Sequence, residues 1–81
     1  MTIDIITPDS QVFSGEAVSA TFPGTDGSFQ VLNNHAALIS TLDRGRIVVK
    51  TAQGEQQWEV DGGVVEVLDN KVTVLAEAIL D

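Results

Sequence analysis

At 81 residues the chain has room for one domain with a modest core, and a fold of this size buries only about 60–65% of the surface its unfolded form exposes. Twelve acidic against four basic residues give a net charge of −8, which repels nucleic acid and anionic lipid headgroups and selects a partner that is basic where it touches. There is no cysteine, which excludes disulfides, thiolate chemistry and cysteine-ligated metal, and fits a cytoplasmic address.

The N-terminal Met1-Thr2-Ile3-Asp4 has neither the basic segment nor the apolar run of a signal peptide. No later stretch approaches the roughly 20 apolar residues of a membrane helix, so a soluble chain without direct membrane insertion is expected. Ile3 and Ile5 alternate with Thr2 and Asp4, and Val18, Ala20 and Phe22 alternate with Ser19 and Thr21, the period of half-buried strands. Phe29 and Val31 continue that pattern. The stretch His35 to Leu42 is the one place where a helical turn competes, but eight residues are too few for a stable isolated helix. Beyond it, Ile47 to Val49, Glu55 to Val60, Val64 to Leu68 and Val72 to Ala76 are short and rich in β-branched residues.

Turn signals separate these segments at nearly even intervals: Pro8-Asp9-Ser10, Ser14-Gly15, Pro23 to Gly27, Asn33-Asn34, Asp43-Arg44-Gly45, Gln53-Gly54, Asp61-Gly62-Gly63 and Asp69-Asn70. About ten short strands between frequent turns make a small all-β sandwich or barrel. Asp69-Asn70 is predicted as the two-residue turn of a hairpin joining the last two strands, because both residues tolerate the left-handed backbone of a type I′ turn.

The residues that could carry chemistry do not converge. His35 is the only histidine, too few for a zinc site of the His/Cys type and the only side chain of its kind that could activate a serine. Ser10, Ser14, Ser19, Ser28 and Ser40 lie outside any Gly-x-Ser-x-Gly context. The carboxylates Asp4, Glu16, Asp26, Asp43, Glu55, Glu59, Asp61 and Glu66 fall on turns or on the polar phase of strands and read as a solvated face. Gly24-Thr25-Asp26-Gly27-Ser28 resembles a phosphate loop in composition only, since it has no Gly-Lys-Ser/Thr ending, carries an aspartate and precedes a strand. No catalytic residue, cofactor site or metal site is predicted. Trp58, in phase with Val60, is expected to face the core, whereas an exposed Trp58 would point to a free-standing ligand-binding sandwich such as a carbohydrate-binding module.

The order of motifs says more. Ile3-Asp4-Ile5-Ile6-Thr7-Pro8, then Val12-Phe13-Ser14-Gly15-Glu16, then Phe22 through Ile39 with its Gly24-Thr25-Asp26-Gly27-Ser28 and Asn33-Asn34-His35, closely resemble the N-terminal domain of the epsilon subunit of F-type ATP synthases. Leu42 to Gly45, Asp61-Gly62-Gly63-Val64-Val65-Glu66-Val67 and Asn70 through Ala76 continue the resemblance to the end of the chain. It implies one domain over residues 1–81, a β-sandwich of two antiparallel sheets. The function it implies is that of a non-catalytic rotor subunit clamping the gamma subunit to the membrane c-ring, peripheral on the cytoplasmic side. The residues it implies are Gly24, Thr25, Asp26, Gly27 and Ser28 for c-ring contact, and Thr7 and His35 for gamma contact.

The chain departs from the family pattern at Gln30, Asn33, Asn34 and Ala37, where members commonly carry glycines and prolines. Asn34 can supply the left-handed conformation a glycine would. Members also continue into a C-terminal helical hairpin with inhibitory and, in some, ATP-binding activity. This sequence stops at Ala78-Ile79-Leu80-Asp81, and those activities are expected to be absent only if that is the end of the full protein, a natural short form and a truncated one being alike in sequence.

Overall fold

A computed structural model describes residues 1–80, and among them every regular element is a strand. They are β1 (Thr2–Ile6), β2 (Gln11–Glu16), β3 (Ser19–Gly24), β4 (Gly27–Leu32), β5 (Leu38–Thr51), β6 (Gly54–Leu68) and β7 (Lys71–Ala76). The expected all-β class holds, with seven strands in place of about ten. The hydrogen-bonded order β2-β1-β7-β6-β5-β3-β4 is one continuous sheet, antiparallel everywhere except between β1 and β7, which run parallel.

This single sheet becomes a sandwich because its two central strands are long enough to belong to both layers. The first part of β5 pairs with the last part of β6 (Leu38↔Val67 to Leu42↔Gly63), and β7, β1 and β2 complete that layer. The rest of β5 pairs with the first part of β6 (Arg44↔Asp61 to Thr51↔Gly54), and β3 and β4 complete the second layer. The fold between layers falls at Gly62-Gly63, with φ of 87° and 152°, values that side chains with a Cβ rarely adopt. Asp43-Arg44-Gly45 and Asp61-Gly62-Gly63 are therefore bends inside strands and not turns between them. Ser14-Gly15 is likewise part of β2, where Ser14 Oγ donates to Asp4 Oδ1 at 2.6 Å within the regular run from Thr2↔Glu16 to Ile5↔Phe13, ahead of the register shift at Ile6.

Alternation decides what is buried. Ile3 and Ile5 of β1, Val72 and Val74 of β7, and Val65 and Val67 of β6 face inward from the first layer. Ala20 and Phe22 of β3, Val31 of β4, Ile47 and Val49 of β5 and Val60 of β6 face them from the second. Phe22 and Phe29 pack with ring centroids 5.6 Å apart. Trp58 is half-buried against this core, its ring centroid 5.3 Å from that of Phe13, so the tryptophan closes one side of the sandwich.

The turns follow their residues. Asp69 and Asn70 both have positive φ, 51° and 62°, between the paired Leu68 and Lys71, as a type I′ turn requires. Asn34 has φ of 63° in the connection from β4 to β5. Its N–H donates to Asn70 Oδ1 at 2.8 Å, tying the two turns together. The segment from His35 forms no helix: after the turn it enters β5, with Leu38 and Leu42 on the core side. After β7 the chain crosses to the second layer, where Asp61 N–H donates to Ala78 O at 3.1 Å and Leu80 N–H to Glu59 O at 2.7 Å. Residues 78–80 thus cover the edge of β6 from Glu59 to Asp61.

Candidate interaction surfaces

Gly24 through Ser28 form one hairpin end. Gly24 pairs with Gly27, which leaves Thr25 and Asp26 as the tip. Gly24 is buried, and a Cβ there would lie 2.6 Å from Gly27 O and 2.9 Å from the Phe29 ring, so the close approach of the two strands needs the missing side chain. Thr25 N–H donates to Thr41 O at 3.1 Å, and the two threonine hydroxyls are 2.8 Å apart. These bonds fasten the hairpin to β5. Asp26 and Ser28 are exposed, and Asp26 has no ion-pair partner among the described residues. The loop presents a carboxylate from a base that is held in place.

Thr7 is half-buried in the turn from β1 to β2. Its N–H donates to Ser10 O at 2.9 Å, and its hydroxyl oxygen accepts from the N–H groups of Asp9 and Ser10 at 3.3 and 3.2 Å. That hydroxyl is used inside the turn, which leaves the methyl group and neighbouring Pro8 to meet a partner. His35, also half-buried, follows the β4 end, with its N–H donating to Leu32 O at 3.2 Å and its Nδ1 2.8 Å from Ala36 O.

Thr7 and His35 are not neighbours. Thr7 follows Ile6, which stands in the cross-strand row Ile6–Leu75–Val64–Thr41 at the bend end of the first layer. His35 precedes Leu38, which pairs with Val67 near the Asp69-Asn70 hairpin at the other end. Three strand spacings and several residues separate them, roughly 20 Å along a diagonal of the layer's outer face. The Thr25–Asp26 tip lies at the far end of the same row as Ile6, beyond Thr41.

Between these corners lie side chains that sequence reasoning passed over. Ile39 is 71% exposed, Leu75 55%, Leu68 52% and Val64 36%, and all four stand on the outer face of the first layer. Leu75 also lines a shallow depression with Ile6, Thr7, Pro8, Ala76 and Glu77. The signal was present as apolar pairs, Leu38-Ile39, Val64-Val65, Val67-Leu68 and Val74-Leu75, each filling both phases of a strand. A strand apolar in both phases has something to cover on both faces.

No cluster of metal-ligating side chains forms among the described residues, and none of their helices is long and apolar enough to cross a membrane, since the regular elements are strands.

The arrangement is that of a β-sandwich domain whose distinctive features are surfaces. The chain belongs to the ATP synthase Delta/Epsilon chain beta-sandwich domain family, matched over residues 1–81. The expectation of a domain without catalytic activity of its own agrees with that membership. It is 40% identical to the ATP synthase epsilon chain of Salinibacter ruber over 98% of this chain and 59% of that one. The epsilon chain of Chlorobaculum tepidum is 39% identical, with 96% of this chain and 90% of that one covered. The chain therefore spans less than two thirds of some relatives and nearly all of others. Two solved structures share the fold. A chain of the Tetrahymena thermophila mitochondrial ATP synthase central stalk and c-ring has a TM-score of 0.86 at 17% identity, covering 99% of this chain and 65% of that one. A chain of the Euglena gracilis mitochondrial ATP synthase assembly has a TM-score of 0.89 at 21% identity, covering 96% and 51%.

Proposed function

We propose that this chain is a non-catalytic central-stalk component of an F-type ATP synthase, joining the gamma subunit to the c-ring and coupling ion flow to ATP synthesis. The observation that carries the reading is the family match over residues 1–81, supported by whole-chain identity of about 40% to epsilon chains. In this role the chain is peripheral, on the cytoplasmic side of the membrane, and binds no cofactor or nucleic acid. The Gly24–Ser28 hairpin meets the polar loops of the ring, while the Thr7 turn and the His35 connection meet gamma.

The geometry supports the loop assignment in two ways. Its tip is fixed to β5 through Thr25 and Thr41, so little ordering entropy remains to be lost on contact. Asp26 is an exposed carboxylate without an ion pair among the described residues, suited to a basic side chain on the ring. One exposed pair contributes only about 0–1 kcal/mol, so the contact depends on area and on several such pairs. In the assembled rotor, the double substitution Asp26→Arg with Ser28→Arg is expected to weaken retention of this subunit on membranes while leaving its pull-down by gamma intact. Unchanged retention and unchanged proton- or sodium-driven synthesis in the double variant would sink the loop assignment. Failure of gamma to capture the unaltered chain would sink the stalk reading as a whole.

A further inference from the structure

Aspartate followed by glycine occurs twice, at Asp26-Gly27 and Asp61-Gly62. Such a pair can cyclise through attack of the glycine nitrogen on the aspartate side-chain carbonyl, and a glycine, having no Cβ, neither blocks the approach nor resists the backbone rotation it needs. The fold treats the two pairs differently. Asp26 is exposed at the tip of the β3–β4 hairpin, and Gly27 opens β4, the last strand of the sheet, so it is paired on one side only, with Gly24. Gly27 has φ of 124°, and a Cβ there would meet nothing within 4 Å. Asp61-Gly62 instead lies inside β6, between two neighbours. Asp61 pairs with Arg44 and its N–H donates to Ala78 O at 3.1 Å, Gly62 O accepts from Glu77 N–H at 3.1 Å, and the next residue, Gly63, pairs with both Leu42 and Ala76. Rotating the Asp61–Gly62 peptide therefore opens ladders on both sides. Rotating the Asp26–Gly27 peptide only frays a hairpin end, and such ends open at a small fraction of the global stability. At the exposed turn Asp9-Ser10 the nitrogen that would attack is occupied, donating to Thr7 Oγ1 at 3.2 Å.

We infer that Asp26–Gly27 is a site of spontaneous covalent modification, where the folded chain converts slowly to isoaspartate and so becomes a substrate for an isoaspartate-directed carboxyl methyltransferase. In the first step the Gly27 nitrogen bonds to Asp26 Cγ and the Cγ–OH bond breaks. The nitrogen's proton leaves with that hydroxyl as water, and a cyclic imide remains. Water then adds to the imide. Breaking the bond from the nitrogen to Cγ restores aspartate, whereas breaking its bond to the main-chain carbonyl carbon leaves the chain running through Cβ and Cγ. Neither step changes an oxidation state or needs a co-reactant other than water. The product carries an extra methylene in the backbone between Thr25 and Gly27, and its free carboxylate is attached directly to Cα. That carboxylate is the group the methyltransferase esterifies with the methyl group of S-adenosylmethionine. The Gly24–Gly27 pairing and the position of the exposed carboxylate both depend on the original spacing, so the conversion remakes the hairpin tip and leaves the sandwich core untouched. The reaction needs only the chain itself and stands apart from the stalk reading.

The test ages the purified full chain at neutral pH and physiological temperature, beside a sample kept unfolded in urea. Isoaspartate is quantified by methyl transfer from radioactive S-adenosylmethionine with a purified isoaspartate methyltransferase, and it is located by peptide fragmentation in a mass spectrometer. The folded chain is expected to gain isoaspartate at residue 26 several-fold faster than at residue 61, and the unfolded chain to lose that preference. Asp26→Glu, whose imide would need a larger and less readily formed ring, is expected to remove most of the methyl acceptance of the folded chain, and Asp61→Glu to leave it unchanged. Both side chains are exposed, so the variants are expected to fold, and circular dichroism verifies it. Equal accumulation at residues 26 and 61 in the folded chain overturns the selection by the fold. Absence of isoaspartate at residue 26 of the folded chain, whatever the unfolded chain does, overturns the site, as does methyl acceptance that survives Asp26→Glu unchanged.

Discussion

Replacing Gly63 and Gly54 separately with alanine isolates the feature that turns one sheet into two layers. Both residues have positive φ, 152° and 137°, so each substitution imposes a backbone penalty of about 1–3 kcal/mol. Each also lowers the entropy of the unfolded chain by a similar amount, an effect that cancels in the comparison. The surroundings differ. An added Cβ at Gly54 meets nothing within 4 Å, whereas at Gly63 it collides with the carbonyl oxygen of Leu75 and comes within 3.0 Å of Ala76 Cα. Both contacts are backbone of the neighbouring strand, which can yield only by moving β7 away from β6. Overpacking of this kind adds about 1–3 kcal/mol, out of a total stability of about 4–12 kcal/mol for a domain this size. Urea unfolding followed by the fluorescence of Trp58, the only tryptophan, reads the difference. With a slope of about 1 kcal/mol per molar, the Gly63→Ala midpoint is expected to fall about 1–3 M below that of Gly54→Ala. Equal midpoints would refute the idea that the bend in β6 depends on its close backbone approach to β7 at Gly63.

The Asn70→Ala variant loses the bond from Asn34 N–H and places alanine at a φ of 62°, together about 1.5–3 kcal/mol. Its melting temperature is expected to drop by roughly 10 °C, with partial recovery in Asn70→Gly, which restores the backbone conformation without the hydrogen bond. Trp58 emission is expected to be partly shielded from acrylamide and indifferent to added sugars, and Phe13→Ala is expected to increase the quenching by removing the ring packed 5.3 Å away. Full quenching of the unaltered protein, relieved by a sugar, would restore the carbohydrate-binding alternative.

The strands and true turns were readable because each depends on local chemistry. Alternation placed Ile3, Ile5, Ala20 and Phe22 in the core but failed at Val18, which precedes the start of β3 and is exposed, and Asp69-Asn70 announced its hairpin through two residues that accept positive φ. Asp61-Gly62-Gly63 misled for a physical reason. The same glycine freedom that permits a chain reversal also permits a strand to bend while keeping its partners, and only the long-range pairing of Leu42 with Gly63 and Arg44 with Asp61 distinguishes the two. The parallel pairing of β1 with β7 was equally hidden, since nothing local records which distant strand fills the gap beside β1. Of the site, the Gly24–Ser28 hairpin was legible as a turn, and its attachment through Thr41 was not. The Ile39, Val64, Leu68 and Leu75 face was legible in principle, from apolar pairs too numerous for a strand with one wet side.

The proposed role requires a body that does not shear when one partner pulls against the other. In a sandwich made of two separate sheets, the layers meet only through side chains, and sliding one over the other disturbs dispersion contacts worth about 0.1–0.2 kcal/mol per atom pair. Here β5 and β6 run through both layers and stay paired on either side of the bend, from Leu38↔Val67 to Thr51↔Gly54. Residues 78–80 add a second crossing from β7 to the edge of β6. Relative motion of the layers must therefore distort backbone ladders as well as side-chain packing. The hairpin tip with Asp26 is fastened to β5 at Thr41, and the outer face with Ile39 is built on the same strand pair, two cross-strand rows away. A load applied at the hairpin reaches that face through hydrogen-bonded backbone, without passing through a loop.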